Sequence, residues 1–506
     1  MPARTGQHYI ASLRAHPAEI WVGGERVEDV TTHPATRNAV RSYARLYDMQ
    51  HEPALQDTMT YALPSGERVG MSFLMPTSVD DLARRHAMMR VWAEYSGGMM
   101  GRTPDYLNAS VMAMGAAASY FGANDPRHAD NIRRYYEYVR DHDLCLTHTL
   151  INPQINRSRP ASGQADPYLA AGIVRETDDG LIIRGARMLA TSAPLSEEIM
   201  VFPSTVLKES GDATPYAYAF AIPCNTPGLR FICRESFDLG RSHFDHPLGS
   251  RFEEMDAIVV FDDVLVPWER VFLKGDTELC NNVFSGTNAV LHMAHQVVVK
   301  NIAKAEFLLG LACLMAHTIA IEGFQHVQEK LAEMMTYVET MKAAARASEV
   351  DAHIDQYGLM CPARGPLDLA RNTFPRMYPR MVEIIQQLGA SGLMALPPEA
   401  ALHSPIAPDV HRYLQAARAD APERIRLFRL AWDVACSSFG ARQVLYERFF
   451  FGDPVRMMSA LYNVYDKEPL MDRVRAFLAH DEPAAVSDQP PAIGPQPSAV
   501  SDQPSA

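Results

Sequence analysis

The strongest constraint on the fold is a hydrophobic period that changes twice along the 506-residue chain. Before residue 145, apolar residues such as Val40, Tyr43, Ala44 and Tyr47 recur at three- and four-residue steps, the spacing of one helix face. From about 146 to 270 the pattern is that of short strands, with runs at 199–202, 216–222, 229–233 and 257–261 separated by Pro, Gly and Asp. After 283 the helical period returns over 290–315, 324–348, 375–388 and 421–451, which predicts an antiparallel bundle. We therefore expect an α+β chain: an N-terminal helical domain (1–145), a middle β domain (146–270) and a C-terminal helical bundle (271–480). The stretch 481–506 repeats Ala-Val-Ser-Asp-Gln-Pro from Ala485 and again from Ala499. It lacks the apolar residues needed to offset ordering entropy, so a disordered tail is expected there.

Local signals sharpen this outline. Ser78, followed by Asp80 and Asp81, predicts a capped helix start. Asp179-Gly180 between two apolar runs predicts a tight hairpin turn. The helix opened by Ser78 runs into Gly97-Gly98-Met99-Met100-Gly101-Arg102-Thr103-Pro104-Asp105-Tyr106, where three glycines and a proline stop it. The break presents the guanidinium of Arg102 and the phenol of Tyr106, donors suited to a small anionic oxygen. His148 follows among hydroxyls and amides, in Thr147-His148-Thr149-Leu150-Ile151-Asn152-Pro153-Gln154. Arg102, Tyr106 and His148 are expected to converge.

Several function classes are disfavoured. A formal charge of −13, from 47 basic and 60 acidic residues, argues against nucleic-acid binding. Seven scattered cysteines without a CxxC pair favour reduced thiols over a disulfide framework. The N-terminus lacks the apolar run of a signal peptide, and the greasiest helical stretch, 307–316, is too short to span a bilayer. A cytoplasmic protein with no membrane segment is expected. No Gly-x-Gly-x-x-Gly opens a βα unit and no Walker-type loop occurs, so NAD is not held by the Rossmann device. His-Glu-x-x-His is absent too, and His292 and His295 show no acidic partner, so no metal site is expected.

Taken in order, Gly101-Arg-Thr-Pro-Asp-Tyr106, Thr147-His148 with Asn152-Pro-Gln154, Ala190-Thr-Ser-Ala193, the 261–268 run, and Tyr446-Glu-Arg-Phe449 with Gly452-Asp453 resemble one family. It is the oxygenase component of two-component, flavin-dependent aromatic hydroxylases, the 4-hydroxyphenylacetate 3-monooxygenase family, and the resemblance runs from about residue 5 to 478. It implies a fold similar to acyl-CoA dehydrogenases with a β-barrel-like middle domain, and a homotetramer. Reduced FAD (FADH2) would come from a separate NAD(P)H-flavin reductase, and one atom of O2 would enter ortho to the hydroxyl of a para-substituted phenol, giving a catechol.

By resemblance Arg102, Tyr106 and His148 surround the phenolate, with His148 as base because an imidazole titrates near working pH. Asn152, Gln154, Thr191 and Ser192 would lie along the isoalloxazine. Gln387, beside Gln386, would reach the adenine half from a neighbouring subunit. His292, His295 and Phe449, the first of the aromatics 449–451, are further pocket candidates. The loop 207–214, with Lys208, would close over the para-substituent. The same fold also hosts 4-hydroxybutyryl-CoA dehydratase, whose iron–sulfur cluster needs cysteine thiolates that 97–106 lacks. A catalytically silent homologue is the other alternative, and the presence of all three residues speaks against it.

Overall fold

The computed structural model describes residues 3–479, apart from 157, 160, 204–210 and 239. The expected tail at 481–506 and Lys208 of the 207–214 loop lie outside the described residues. The chain up to Pro454 forms one compact unit, and the helices Pro454–Val464 and Glu468–Ala479 belong to a second from Val455 on. Among the described residues no helix is long and apolar enough to cross a membrane.

The N-terminal helices that position the site are α1 (Arg37–Met49), α2 (Val79–Tyr95), α3 (Pro104–Ala116) and α4 (Pro126–His142). Helix α2 starts as its sequence dictates: Ser78 Oγ accepts from the Asp81 amide at 3.1 Å, and Asp80 and Asp81 occupy the first turn. Its end is set by backbone geometry. Gly97 and Gly98 sit at φ +58° and +72°, and the Gly98 amide turns back onto the Ala93 carbonyl at 2.7 Å. A Cβ on Gly98 would meet the Lys304 backbone nitrogen at 2.7 Å, so the break needs glycine both for its dihedral and for close approach.

The described strands of the middle region form two sheets rather than the barrel-like closure expected. Its strands are β1 (Glu19–Val22), β2 (Glu25–Val27), β3 (Leu146–Thr149), β4 (Gly172–Glu176), β5 (Gly180–Thr191), β6 (Glu198–Val201), β7 (Tyr218–Pro223), β8 (Leu229–Cys233), β9 (Asp256–Pro267) and β10 (Val271–Lys274). One sheet has the order β2-β1-β8-β9-β5-β4 and the other β10-β7-β6-β3. The predicted hairpin is β4–β5, antiparallel with Glu176 opposite Leu181. Side chains from both sheets, including Ile183, Val201, Phe220, Phe231 and Val259, bury into one apolar layer. At about 1.5–3 kcal/mol per fully buried large side chain, that layer holds the sheets face to face.

The C-terminal helices are α5 (Ala289–Thr318), α6 (Gln325–Val350), α7 (Arg364–Gly389), α8 (Ala421–Ala435) and α9 (Ser438–Phe449). Two expectations from the period change here. Helix α7 begins eleven residues before Pro375 and continues through Pro375 and Pro379. Four residues apart, these prolines share one half-exposed face, where water can satisfy the freed carbonyls, while Phe374, Tyr378, Met381 and Ile385 bury the other. The single helix expected at 421–451 is two. Ser437 caps the second by accepting from the Gly440 amide, and a Cβ on Gly440 would meet the Val434 carbonyl oxygen at 2.2 Å. Chain reversal at that distance admits only glycine.

Candidate active site

The glycine break delivers Arg102 to the point where residues of α3, β3 and the end of α9 meet. Its guanidinium carbon lies 4.2 Å from the ring centroid of Tyr106 and 4.2 Å from that of Phe450, so it is held between two aromatic faces. Tyr446 stands 5.6 Å away. The His148 ring lies 5.9 Å from that of Tyr106. The predicted convergence of Arg102, Tyr106 and His148 is therefore present. Phe449 is not the aromatic wall: it is 50 % exposed, and the next residue, Phe450, turns inward. One residue along a helix rotates the side chain by about 100°, and the period of a Phe-Phe-Phe run cannot say which ring faces in.

The electrostatics are specific. Arg102 Nε and Nη1 are buried without a hydrogen-bond partner, as is the Tyr446 hydroxyl. Burial works against the guanidinium charge, yet Tyr106, Tyr446 and Glu254 outweigh it and leave the group more firmly protonated than usual. Burial and then the neighbouring Arg102 charge hold the His148 imidazole well below its ordinary value. That direction runs against an imidazole that titrates near working pH and favours the uncharged ring.

The Arg102 loop is tied to the turn carrying Thr191 and Ser192 by two bridges. The Tyr43 hydroxyl donates to the Arg102 carbonyl oxygen at 2.9 Å and lies 2.9 Å from Ser192 Oγ. On the other side Glu254 accepts from the Arg102 amide at 2.5 Å, and Arg442 spans Glu254 (3.3 Å) and Asp256 (2.8 Å). Asp256 in turn accepts from Thr191 Oγ1 at 2.8 Å. Arg442, followed by Arg234, holds the Asp256 carboxyl well below the usual carboxylate range despite burial. Ser192 sits at φ +62°, so the turn bends away from β5. Behind the aromatic wall Glu447 accepts from Lys300 at 2.7 Å and Lys304 at 2.5 Å, all three side chains buried.

Asn152 is half-buried, and Arg187 donates to its side-chain oxygen, which leaves the amide nitrogen to donate elsewhere. Gln154 is exposed. Gln387 is exposed on α7 and donates to Glu383 one turn earlier, while Gln386 donates to the Ala435 carbonyl. The contacts of His292 and His295 run elsewhere. Both His292 ring nitrogens are buried without a partner, and burial followed by the nearby Arg85 charge pushes the ring's pKa far down. His295 lies 2.7 Å from a carboxylate, Glu349, which overturns the expectation that these histidines lack an acidic partner. Helix α6 supplies that partner from 54 residues away, beyond the reach of any spacing rule.

Tyr43, Glu254 and Arg442 are site residues that the sequence reading does not include, whereas Phe450 belongs to the aromatic run 449–451 that it does. Tyr43 reads as one more apolar position on α1, and Glu254 and Arg442 act through partners 152 and 188 residues distant that no local pattern connects.

Two family models cover the chain: 4-hydroxyphenylacetate 3-hydroxylase N terminal matches residues 5–273, and 4-hydroxyphenylacetate 3-hydroxylase C terminal matches 280–479. The 4-hydroxyphenylacetate 3-monooxygenase oxygenase component of Thermus thermophilus is 55 % identical over 476 residues, covering 94 % of this chain and 97 % of that protein. A solved oxygenase component of 4-hydroxyphenylacetate 3-monooxygenase, complexed with FAD and 4-hydroxyphenylacetate, is 54 % identical with a TM-score of 0.91, over 94 % of this chain and 99 % of that one. An archaeal 4-hydroxybutyryl-CoA dehydratase from N. maritimus has a TM-score of 0.84 at 20 % identity, over 94 % of this chain and 95 % of that one, a likeness of fold alone. With the two models spanning residues 5–273 and 280–479, and a relative 55 % identical over 94 % of the chain, the chain belongs to the 4-hydroxyphenylacetate 3-hydroxylase family.

Proposed function

We propose that this protein is the oxygenase component of a two-component monooxygenase that hydroxylates a para-substituted phenol, 4-hydroxyphenylacetate being the first candidate, to a catechol. The observation that carries the assignment is the partly buried Arg102 guanidinium, whose Nε and Nη1 are buried without a partner, clamped between Tyr106 and Phe450 beside His148. A buried cation with open donors is costly unless an anionic oxygen completes it. A phenolate does so.

The residues present fit FAD. The Asn152 amide and exposed Gln154 offer donors to a heteroatom-edged ring. The hydroxyls of Thr191 and Ser192 are engaged by Asp256 and Tyr43, so their part is to shape the wall at the left-handed bend. Gln387, exposed on α7, would reach the cofactor from a neighbouring subunit of a homotetramer. Once reduced by a separate flavin reductase and then bound here, FAD would supply an electrophilic oxygen derived from O2. A cytoplasmic location accords with a flavin borrowed from a soluble pool.

Arg102 carries the ionisation. A phenol's pKa is near 10, and a unit charge 4 Å away at an effective dielectric of 20 contributes about 4 kcal/mol, about three pKa units. That attraction offsets the cost of burying a phenolate, the same cost that raises the Tyr446 phenol beside Arg102 well above its ordinary value. The hydroxyl proton leaves to solvent, and the neutral His148 donates a hydrogen bond to the phenolate oxygen and orients the ortho carbon. Tyr106 donates a second hydrogen bond to the developing charge.

The test is a panel of para-substituted phenols with FAD and any flavin reductase, scored for catechol. Arg102→Ala and His148→Ala are expected to lose hydroxylation while reduced flavin still consumes O2 and peroxide accumulates. Hydroxylation at the normal rate in both variants refutes the assigned roles. Peroxide without catechol from the unaltered protein, across the whole panel, marks a silent homologue instead.

A further inference from the structure

Helices α2, α5 and α6 meet at three side chains that the proposed hydroxylation does not use. His86 Nδ1 lies 2.6 Å and His295 Nε2 2.7 Å from the same atom, Oε1 of Glu349. The two rings are edge-on, with centroids 5.9 Å apart, and the three ligand atoms all lie within 4.8 Å of one another. His295 is buried, whereas the His86 and Glu349 side chains are 29 % and 19 % exposed, so the convergence point opens to solvent on their side. Among the described residues no lysine or arginine forms an ion pair with Glu349; the two imidazoles are its partners.

Two imidazole nitrogens and one carboxylate oxygen, each delivered by a different helix, are a borderline-hard donor set of the kind that first-row divalent metals take, with one position left for water. We propose that His86, His295 and Glu349 form a binding site for a divalent transition-metal cation, with Zn²⁺ as the test ion and water completing its coordination on the exposed side. Each ring would ligate through the nitrogen that now faces Glu349, His86 through Nδ1 and His295 through Nε2. The ion would have a bracing role. Helix α2 runs into the glycine break, and α5 carries Gln296, next to His295, whose amide lies 3.2 Å from Asp105 and 3.4 Å from Thr103 in the Arg102 loop. Pinning α2, α5 and α6 together fixes the frame from which that loop hangs.

The full-length chain, free of any histidine tag and stripped with chelator, is titrated with Co²⁺ and then Zn²⁺. One Co²⁺ per chain with visible d–d bands, displacement by Zn²⁺, and a higher thermal midpoint with Zn²⁺ are expected. His86→Ala, at the exposed corner, and Glu349→Gln, which keeps the side-chain shape, are each expected to lose the bands and the shift. No Co²⁺ band at several-fold excess overturns the proposal and leaves a hydrogen-bonded triad. So does a band that survives unchanged in both variants.

Discussion

Glu447 neutralises two lysines at once, and replacing it with glutamine tests whether that buried network supports the aromatic wall. Its carboxylate lies 2.7 Å from Lys300 Nζ and 2.5 Å from Lys304 Nζ, with all three side chains no more than 2 % exposed. Lys300 Nζ in turn lies 5.6 Å from the Tyr446 ring and 5.7 Å from the Phe450 ring, which flank Arg102. Glu447→Gln keeps the shape and removes the charge. Breaking a buried pair from one side costs about 3–5 kcal/mol. Burial already pushes Lys304 down to about 8 although Glu447 opposes it, so without the carboxylate Lys304 falls further and sheds its proton near neutral pH. That relief sets the cost near the lower end, about 3 kcal/mol at pH 7. The sign with pH follows from Lys304 being lowered relative to the unfolded chain. The folded variant binds fewer protons than the unfolded one, so its stability rises with pH and its deficit against the parent shrinks from pH 6 to pH 9. Urea unfolding followed by tryptophan fluorescence, for both proteins at both pH values, measures this. Equal midpoints, or a deficit that widens toward pH 9, would refute the reasoning.

The glycines of the break should separate by what they touch. Gly98→Ala combines a positive φ, at about 1–2 kcal/mol, with overlap on the α5 backbone, and is expected to lower soluble yield and thermal midpoint. A Cβ on Gly101 would meet the Tyr446 hydroxyl at 2.2 Å, so Gly101→Ala should fold but lose hydroxylation relative to flavin oxidation. Phe450→Ala removes one face of the Arg102 clamp, worth about 1–2 kcal/mol, and should raise the KM for phenol about tenfold, whereas Phe449→Ala should leave it unchanged. Because His148 is neutral above its depressed pKa, His148→Asn should lower the hydroxylation rate without altering the shape of its pH profile between pH 6 and 9. Loss of a limb near pH 6.5 in that variant would restore the imidazole as the titrating base.

Short-range chemistry was readable in advance. Ser78 caps α2, Asp179-Gly180 turns the hairpin, and the glycines at 97–101 end a helix, because each effect is settled within a few bonds of the residue concerned. The alternation of periods likewise announced helices, then strands, then helices, and the motif order identified Arg102, Tyr106 and His148 as a group. Tertiary structure decided the rest, since burial and distant charge have no local signature. It placed β1 and β2 in the larger sheet and turned Phe450 rather than Phe449 toward Arg102. It enclosed His148 and set Arg102 beside it, which together push the imidazole's pKa down, and carried Glu349 from α6 to His86 and His295. An electrostatic environment is a sum over neighbours in space, and only the folded chain says who they are.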